Sequence, residues 1–190
     1  MRNLSLLLIA AALFYSCAQQ VDRPLVNTET APVATEDFFP VTNFIQGEIV
    51  DIRGNGVNPL KITTSGTRID SAWLKVEELD EAFAEFLTPV IDSSTMARHF
   101  KETKFLDQTI NAYTFTYEPK ETLPDNISLQ RWDVYITPQT NTVKRIYIEK
   151  LNAQNKQLRM TWQSKEWCRI VIFSGRDSVE KEELIKWKFE

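Results

Sequence analysis

Tyr113-Thr114-Phe115-Thr116-Tyr117 decides how this chain folds, because large aromatic rings alternate there with threonines at a period of two. That alternation sends rings to one side of an extended backbone and hydroxyls to the other, the pattern of a half-buried antiparallel strand. Reading outward, the same period returns in Trp132-Asp133-Val134-Tyr135-Ile136-Thr137. It predicts further strands over 143–150, 157–163, 167–173 and 183–189, and one upstream over 99–106. The links Pro138-Gln139-Thr140-Asn141, Asn152-Ala153-Gln154-Asn155 and Gln163-Ser164-Lys165-Glu166 are of hairpin length and leave no room for parallel crossovers. A meander of six or seven strands is the expected result.

Upstream the period changes to that of a helix. Phe44, Ile45, Ile49 and Ile52 predict a short amphipathic helix over 41–53, with Pro40 near its first turn and Gly54-Asn55-Gly56 ending it. Leu60 to Thr64 and Thr67 to Asp70 flank Ser65-Gly66 as an early hairpin. Val76, Leu79, Phe83, Phe86 and Leu87 form the stripe of a second helix, stopped near Leu87 by Thr88-Pro89. The acids Glu77, Glu78, Asp80, Glu81 and Glu85 read as its solvated face and not as a cation site. A lone sheet cannot hide its apolar side, so the two helices are expected to pack on it. The fold class is therefore α+β, an antiparallel meander with two short helices, in a single domain over 37–190.

The first residues carry an address. Arg2 precedes an apolar run from Leu4 to Phe14, broken only by Ser5, and Tyr15-Ser16-Cys17 follows. As a helix the run spans about 16 Å, roughly half a bilayer core, which suits a signal h-region better than a permanent span. Residues 1–16 are read as a signal peptide and Cys17 as the lipid-accepting cysteine, an anchor in a membrane of the bacterial envelope. Cleavage after Ala18, or an uncleaved anchor, are the competing outcomes. Residues 17–36, with Pro24 and Pro32 and no apolar period, read as the lipidated cysteine and a flexible tether. With 43% hydrophobic and 25% charged residues the remainder can bury an ordinary core. A net charge of −4 argues against a nucleic-acid partner.

Several segments taken together point to a family. Phe39-Pro40-Val41 before Phe44-Ile45, then Asp70-Ser71-Ala72-Trp73, Phe105-Leu106-Asp107-Gln108, Thr114-Phe115-Thr116-Tyr117 and Val143-Lys144-Arg145-Ile146-Tyr147 resemble small lipoproteins of Bacteroidota, over residues 37–190. The resemblance implies a lipid-anchored single domain and brings no activity, ligand or catalytic residue with it. The acidic signal that sends some Bacteroidota lipoproteins to the cell exterior is not evident in Ala18-Gln19-Gln20-Val21-Asp22, so a periplasm-facing location is expected.

Catalytic equipment is sparse. His99 is the single histidine, and with Cys17 acylated Cys168 is the remaining thiol, so neither a multi-histidine zinc site nor a disulfide is expected. Cys168 lies in a strand-like run and reads as a small buried hydrophobe. No catalytic residue, metal or cofactor is expected. Asp70, Asp107 and Asp133 could supply paired carboxylates only if the fold brought them together. The one positive hint is aromatic: Tyr113, Tyr117, Trp132, Tyr135, Tyr147 and Trp162 are the candidate binding surface, since an uncovered aromatic sheet face takes sugars, peptides or lipid tails. Core packing competes for the same residues. The leading expectation is a non-enzymatic envelope lipoprotein contacting a protein or polymer. The alternatives are a carrier of lipid or another hydrophobic ligand between sheet and helices, and an envelope hydrolase.

Overall fold

The computed structural model describes residues 38–175 and 178–189; the segments read from sequence as signal peptide and tether, with Cys17, lie outside the described residues. The element order is α1 (Val41–Gly54), β1 (Leu60–Ser65), β2 (Arg68–Trp73), α2 (Leu79–Phe83), α3 (Ser93–His99), then β3 (Phe100–Asp107), β4 (Ala112–Pro119), β5 (Leu129–Thr137), β6 (Thr142–Leu151), β7 (Gln157–Gln163), β8 (Trp167–Phe173) and β9 (Val179–Lys186). All nine strands belong to one antiparallel sheet in the order β2-β1-β9-β8-β7-β6-β5-β4-β3, with β2 and β3 as its edges.

The α+β class and the meander from β3 to β9 follow the sequence pattern, but the strand count is nine and not six or seven. The difference is tertiary. The early hairpin does not stand apart: β1 pairs with β9, Leu60 opposite Lys186 and Thr64 opposite Glu182, so the meander gains two strands at its end. The helix count also changes. The stripe from Val76 to Leu87 is a five-residue α2 flanked by tighter 3-10 turns at Val76–Glu78 and Ala84–Leu87. A third helix, α3, starts where the Asp92 carboxylate accepts the Thr95 N–H at 2.7 Å, an N-cap on a segment without a long apolar period.

Register sorts side chains between the two faces. Tyr117, Trp132 and Ile148 stand in line, as do Val134, Ile146, Trp162 and Cys168, and these rows face the helices. Against them pack Val41, Ile45, Ile49 and Ile52 of α1, with Leu79, Phe83, Phe86 and Met96 from the segment that follows the first hairpin, closing one hydrophobic core. At its centre the Trp162 ring meets Phe83, Phe86 and Trp187, with centroids 5.3, 5.1 and 5.0 Å away. A carboxylate joins them: Glu48, on the buried stripe of α1, accepts the Trp162 indole N–H at 2.6 Å, the Ser164 hydroxyl at 2.5 Å and the Lys165 N–H at 3.1 Å. Those bonds fasten α1 to the β7–β8 turn.

Among the described residues, four hairpin or turn positions take a left-handed backbone without glycine: Asn111, Asn141, Asn155 and Lys165. Asparagine tolerates that region, whereas lysine pays for its Cβ there. Lys165, with φ of 62°, is held by its N–H bond to Glu48. Lys165→Gly is therefore expected to stabilise the domain by about 0.5–1 kcal/mol, because the backbone strain disappears while the N–H bond remains. Equilibrium urea unfolding checks this; a loss of stability would contradict it.

Candidate binding face

The six aromatic residues singled out by sequence do not form one surface. Tyr117, Trp132 and Trp162 are buried in the core beneath the helices, so their exposure has to be withdrawn: the helices cover the face they occupy. The Tyr117 hydroxyl is spent inside, accepting the Phe39 N–H at 3.1 Å. Burial foremost, with Glu102 beside it, pushes that phenol well above the usual tyrosine range. Tyr113 faces the same side but stays 45% exposed near the β3–β4 turn, beyond the reach of the helical cover. Tyr135 and Tyr147 point to the opposite, helix-free face and are half-buried there.

That opposite face carries a continuous feature. One cross-strand row passes through every strand of the sheet, with one residue from each: Phe105, Thr114, Tyr135, Arg145, Gln163, Trp167, Lys186, Leu60 and Trp73. Eight strand spacings of about 4.8 Å make a track of about 38 Å if laid flat. Aromatic rings recur along it, and Arg145, Gln163 and Lys186 supply hydrogen-bonding groups between them. Arg145 is already aimed along the row, its Nε donating to Gln163 Oε1 at 3.0 Å. The ends are the most open points, Phe105 at 48% and Trp73 at 60% exposure, and Trp73 is extended by Phe189 with ring centroids 5.4 Å apart.

Beside the row lies a charged lattice. Arg131 donates from Nε to both oxygens of buried Asp133, at 3.1 and 2.9 Å, and from Nη1 to Glu118 at 3.0 Å. The Tyr147 hydroxyl donates to Glu149 at 2.5 Å. Burial, then the neighbouring Glu149, raises the Tyr147 phenol; burial and Asp133 raise Tyr135 in the same direction, so both remain hydroxyl donors at neutral pH. The buried hydroxyls of Thr114 and Thr116 have no hydrogen-bond partner, an uncompensated desolvation on this face.

Other candidates have structural employment. Asp70 is exposed on β2 and Asp107 ends β3, so they lie at opposite edges of the sheet; Asp133 is held by Arg131 on β5. The three carboxylates do not converge. Asp107 accepts the Thr109 N–H at 2.9 Å as a turn residue. His99 is half-buried in the last turn of α3. Cys168 is fully buried, and burial raises its thiol far above the ordinary value, which makes it unreactive. Among the described residues no group of three His, Cys, Asp or Glu is placed to hold a metal, and no helix is long and apolar enough to cross a membrane.

A hollow of about 940 Å³, open to solvent, lies between Pro119–Ser128 and Lys150–Asn155. Its one buried charge, Lys150, is fully engaged: Nζ donates to the carbonyls of Glu85 and Thr88 at 2.6 Å each, to Thr88 Oγ1 at 3.1 Å, and pairs with the Glu85 carboxylate at 2.6 Å. Lys150 thus caps the end of the 3-10 turn after α2 and ties it to β6.

Sequence reasoning found Tyr135 and Tyr147, and placed Trp167 on the sheet, but missed Phe105, Leu60 and Trp73 as members of one row. Phe105 joins the row through the register of β3 on β4, and Leu60 and Trp73 join it through the pairing of β1 with β9, for which no local signal exists. Comparison with family models, curated proteins and solved structures returned no match to this chain.

Proposed function

We propose that this protein is a non-enzymatic, lipid-anchored module of the bacterial envelope, held through Cys17 and facing the periplasm, that binds an extended glycan polymer across the helix-free face of its sheet. The observation that carries this reading is the nine-residue row from Phe105 to Trp73, in which Tyr135 and Trp167 sit between polar and cationic side chains. Sugar rings present apolar C–H faces that stack on aromatic rings and hydroxyls that bond to Arg, Gln and Lys, so alternating platforms and donors suit a chain of them. The row crosses an open sheet face, which suits an extended chain laid across the strands. The space between helices and sheet, where a hydrophobic ligand would ride in a carrier, is packed with Phe83, Phe86, Trp162 and Trp187.

Co-sedimentation with purified, insoluble envelope glycan tests it. The full-length chain is expected to pellet with the polymer, and Tyr135→Ala combined with Trp167→Ala is expected to lose about 2–4 kcal/mol of binding, at least a tenfold weakening. Unfolding midpoints of the variant separate lost binding from lost folding. Equal pelleting by parent and variant would contradict the assignment.

A further inference from the structure

We infer that two copies of this chain associate antiparallel through β2, joining their sheets edge to edge about a two-fold axis at Ser71. This rests on the edge itself and not on the polymer reading. All six residues of β2 are exposed, and among the described residues nothing covers its outer side. The Leu74 N–H donates to the Pro59 carbonyl at 2.8 Å, so by alternation Arg68, Asp70 and Ala72 spend their backbone groups on β1. Ile69 and Trp73 are left with N–H and C=O groups pointing outward; Ser71 turns its carbonyl outward, and its N–H, donated at 2.9 Å to the exposed Asp70 carboxylate, has to exchange that bond for the second copy's carbonyl. Exposed edges are normally blunted by charged side chains, lysine above all, or by proline, a bulge or a covering segment; β2 carries one charged pair, Arg68 and Asp70, and no lysine, proline or bulge. The other edge is the more heavily charged and has lysines: β3 carries Lys101, Glu102 and Lys104.

The occupant follows from self-complementarity. Antiparallel pairing of two β2 strands must match outward-facing residues with each other, which restricts the register. Centring on Ser71 sets Ile69 opposite Trp73 of the second copy and Trp73 opposite its Ile69, giving three hydrogen-bonded pairs and about six backbone bonds. The two most exposed large apolar side chains of the strand, at 71% and 60%, thereby acquire each other as cross-strand partners. Asp70 falls opposite Ala72, with no like charges directly opposed. Shifting the axis to Asp70 sets that carboxylate against its own copy, and shifting it to Ala72 leaves Ile69 unpaired. Phe189, its ring tilted against Trp73, widens the apolar seam. A second copy of this chain therefore satisfies backbone, apolar and charge requirements in one register.

The test is Ser71→Cys in the full-length chain, in envelopes of expressing cells under oxidising conditions. In the proposed register the two Cα atoms lie about 5.5 Å apart, within disulfide reach. A disulfide-linked dimer from Ser71→Cys, absent from the parent chain and from Thr103→Cys on the opposite edge, is the expected result. Adding Ile69→Lys, an exposed change that leaves the core alone, is expected to abolish the band. No dimer from Ser71→Cys, equal dimer from Thr103→Cys, or a dimer that survives Ile69→Lys would each overturn the proposal.

Discussion

Trp162→Ala is expected to be the most damaging single substitution in the described domain, lowering stability by about 4–6 kcal/mol. Two losses combine. The first is volume: Trp162 is fully buried and contacts Phe83, Phe86 and Trp187, so truncation opens a cavity where the core is densest. Large-to-small changes of this kind cost about 3–5 kcal/mol. The second is polar: the indole N–H is the 2.6 Å donor to Glu48, a carboxylate on the buried stripe of α1. Losing that partner adds about 1 kcal/mol or more, because a buried acceptor is left short of a donor. Trp162→Phe separates the two, keeping a ring but removing the donor, and is expected to cost about half as much. Thermal unfolding of each variant checks both values; at about 2–4 °C per kcal/mol for a domain of this size, Trp162→Ala should lower the midpoint by about 10–20 °C. A drop of only a few degrees would show that the contact between α1 and the β7–β8 turn does not organise the core.

Lys150→Ala ranks next, at about 2–3 kcal/mol. The ammonium reaches back to the carbonyls that end the turn after α2, and among the described residues no other side chain is bonded to them. Removing it strands two carbonyls, leaves the Thr88 hydroxyl with its bond to the Ala84 carbonyl alone, and frees the segment leading into α3. Lys150→Met keeps most of the stem packing while deleting the charge, so its cost measures the hydrogen bonds alone. Burial holds the lysine pKa below its ordinary value, with Glu85 opposing. The ammonium is therefore retained for its bonds and not for charge in solution. Urea unfolding of both variants, with amide exchange over residues 84–99, should report the loss locally. Uniform exchange with unchanged stability would mean that the clamp is dispensable.

The ease with which this fold reads from sequence tracks how local each instruction is. Period-two alternation in 113–117 and 132–137 depends only on neighbouring residues, and the meander follows it. The first helix matches because its apolar spacing is complete; Glu48 sits on that stripe as the one acid among isoleucines, a signal that could have marked it as a buried acceptor. By contrast, α3 depends on a single cap at Asp92, and α2 tightens into 3-10 turns under tertiary packing. The pairing of β1 with β9 joins segments more than a hundred residues apart and has no local trace. The aromatic candidates divide for a related reason. Trp162 and Trp167 take opposite faces because the turn through Lys165 and the Gln163–Trp167 pairing fix the register, which composition alone does not encode. Tyr113 and Tyr117 share a face yet differ in burial, because the helices and Phe38 cover only part of it.

Site-specific photocrosslinking in intact envelopes tests the binding face most directly. A benzophenone side chain replaces Tyr135, Trp167 or Trp73 on the helix-free face, or Val50 on the exposed side of α1, in the full-length chain. Adducts to a polymer released by glycan-degrading enzymes are expected from Tyr135 and Trp167, with none from Val50. Adducts from Val50 alone, or polymer-free products from every position, would contradict a glycan-binding sheet face.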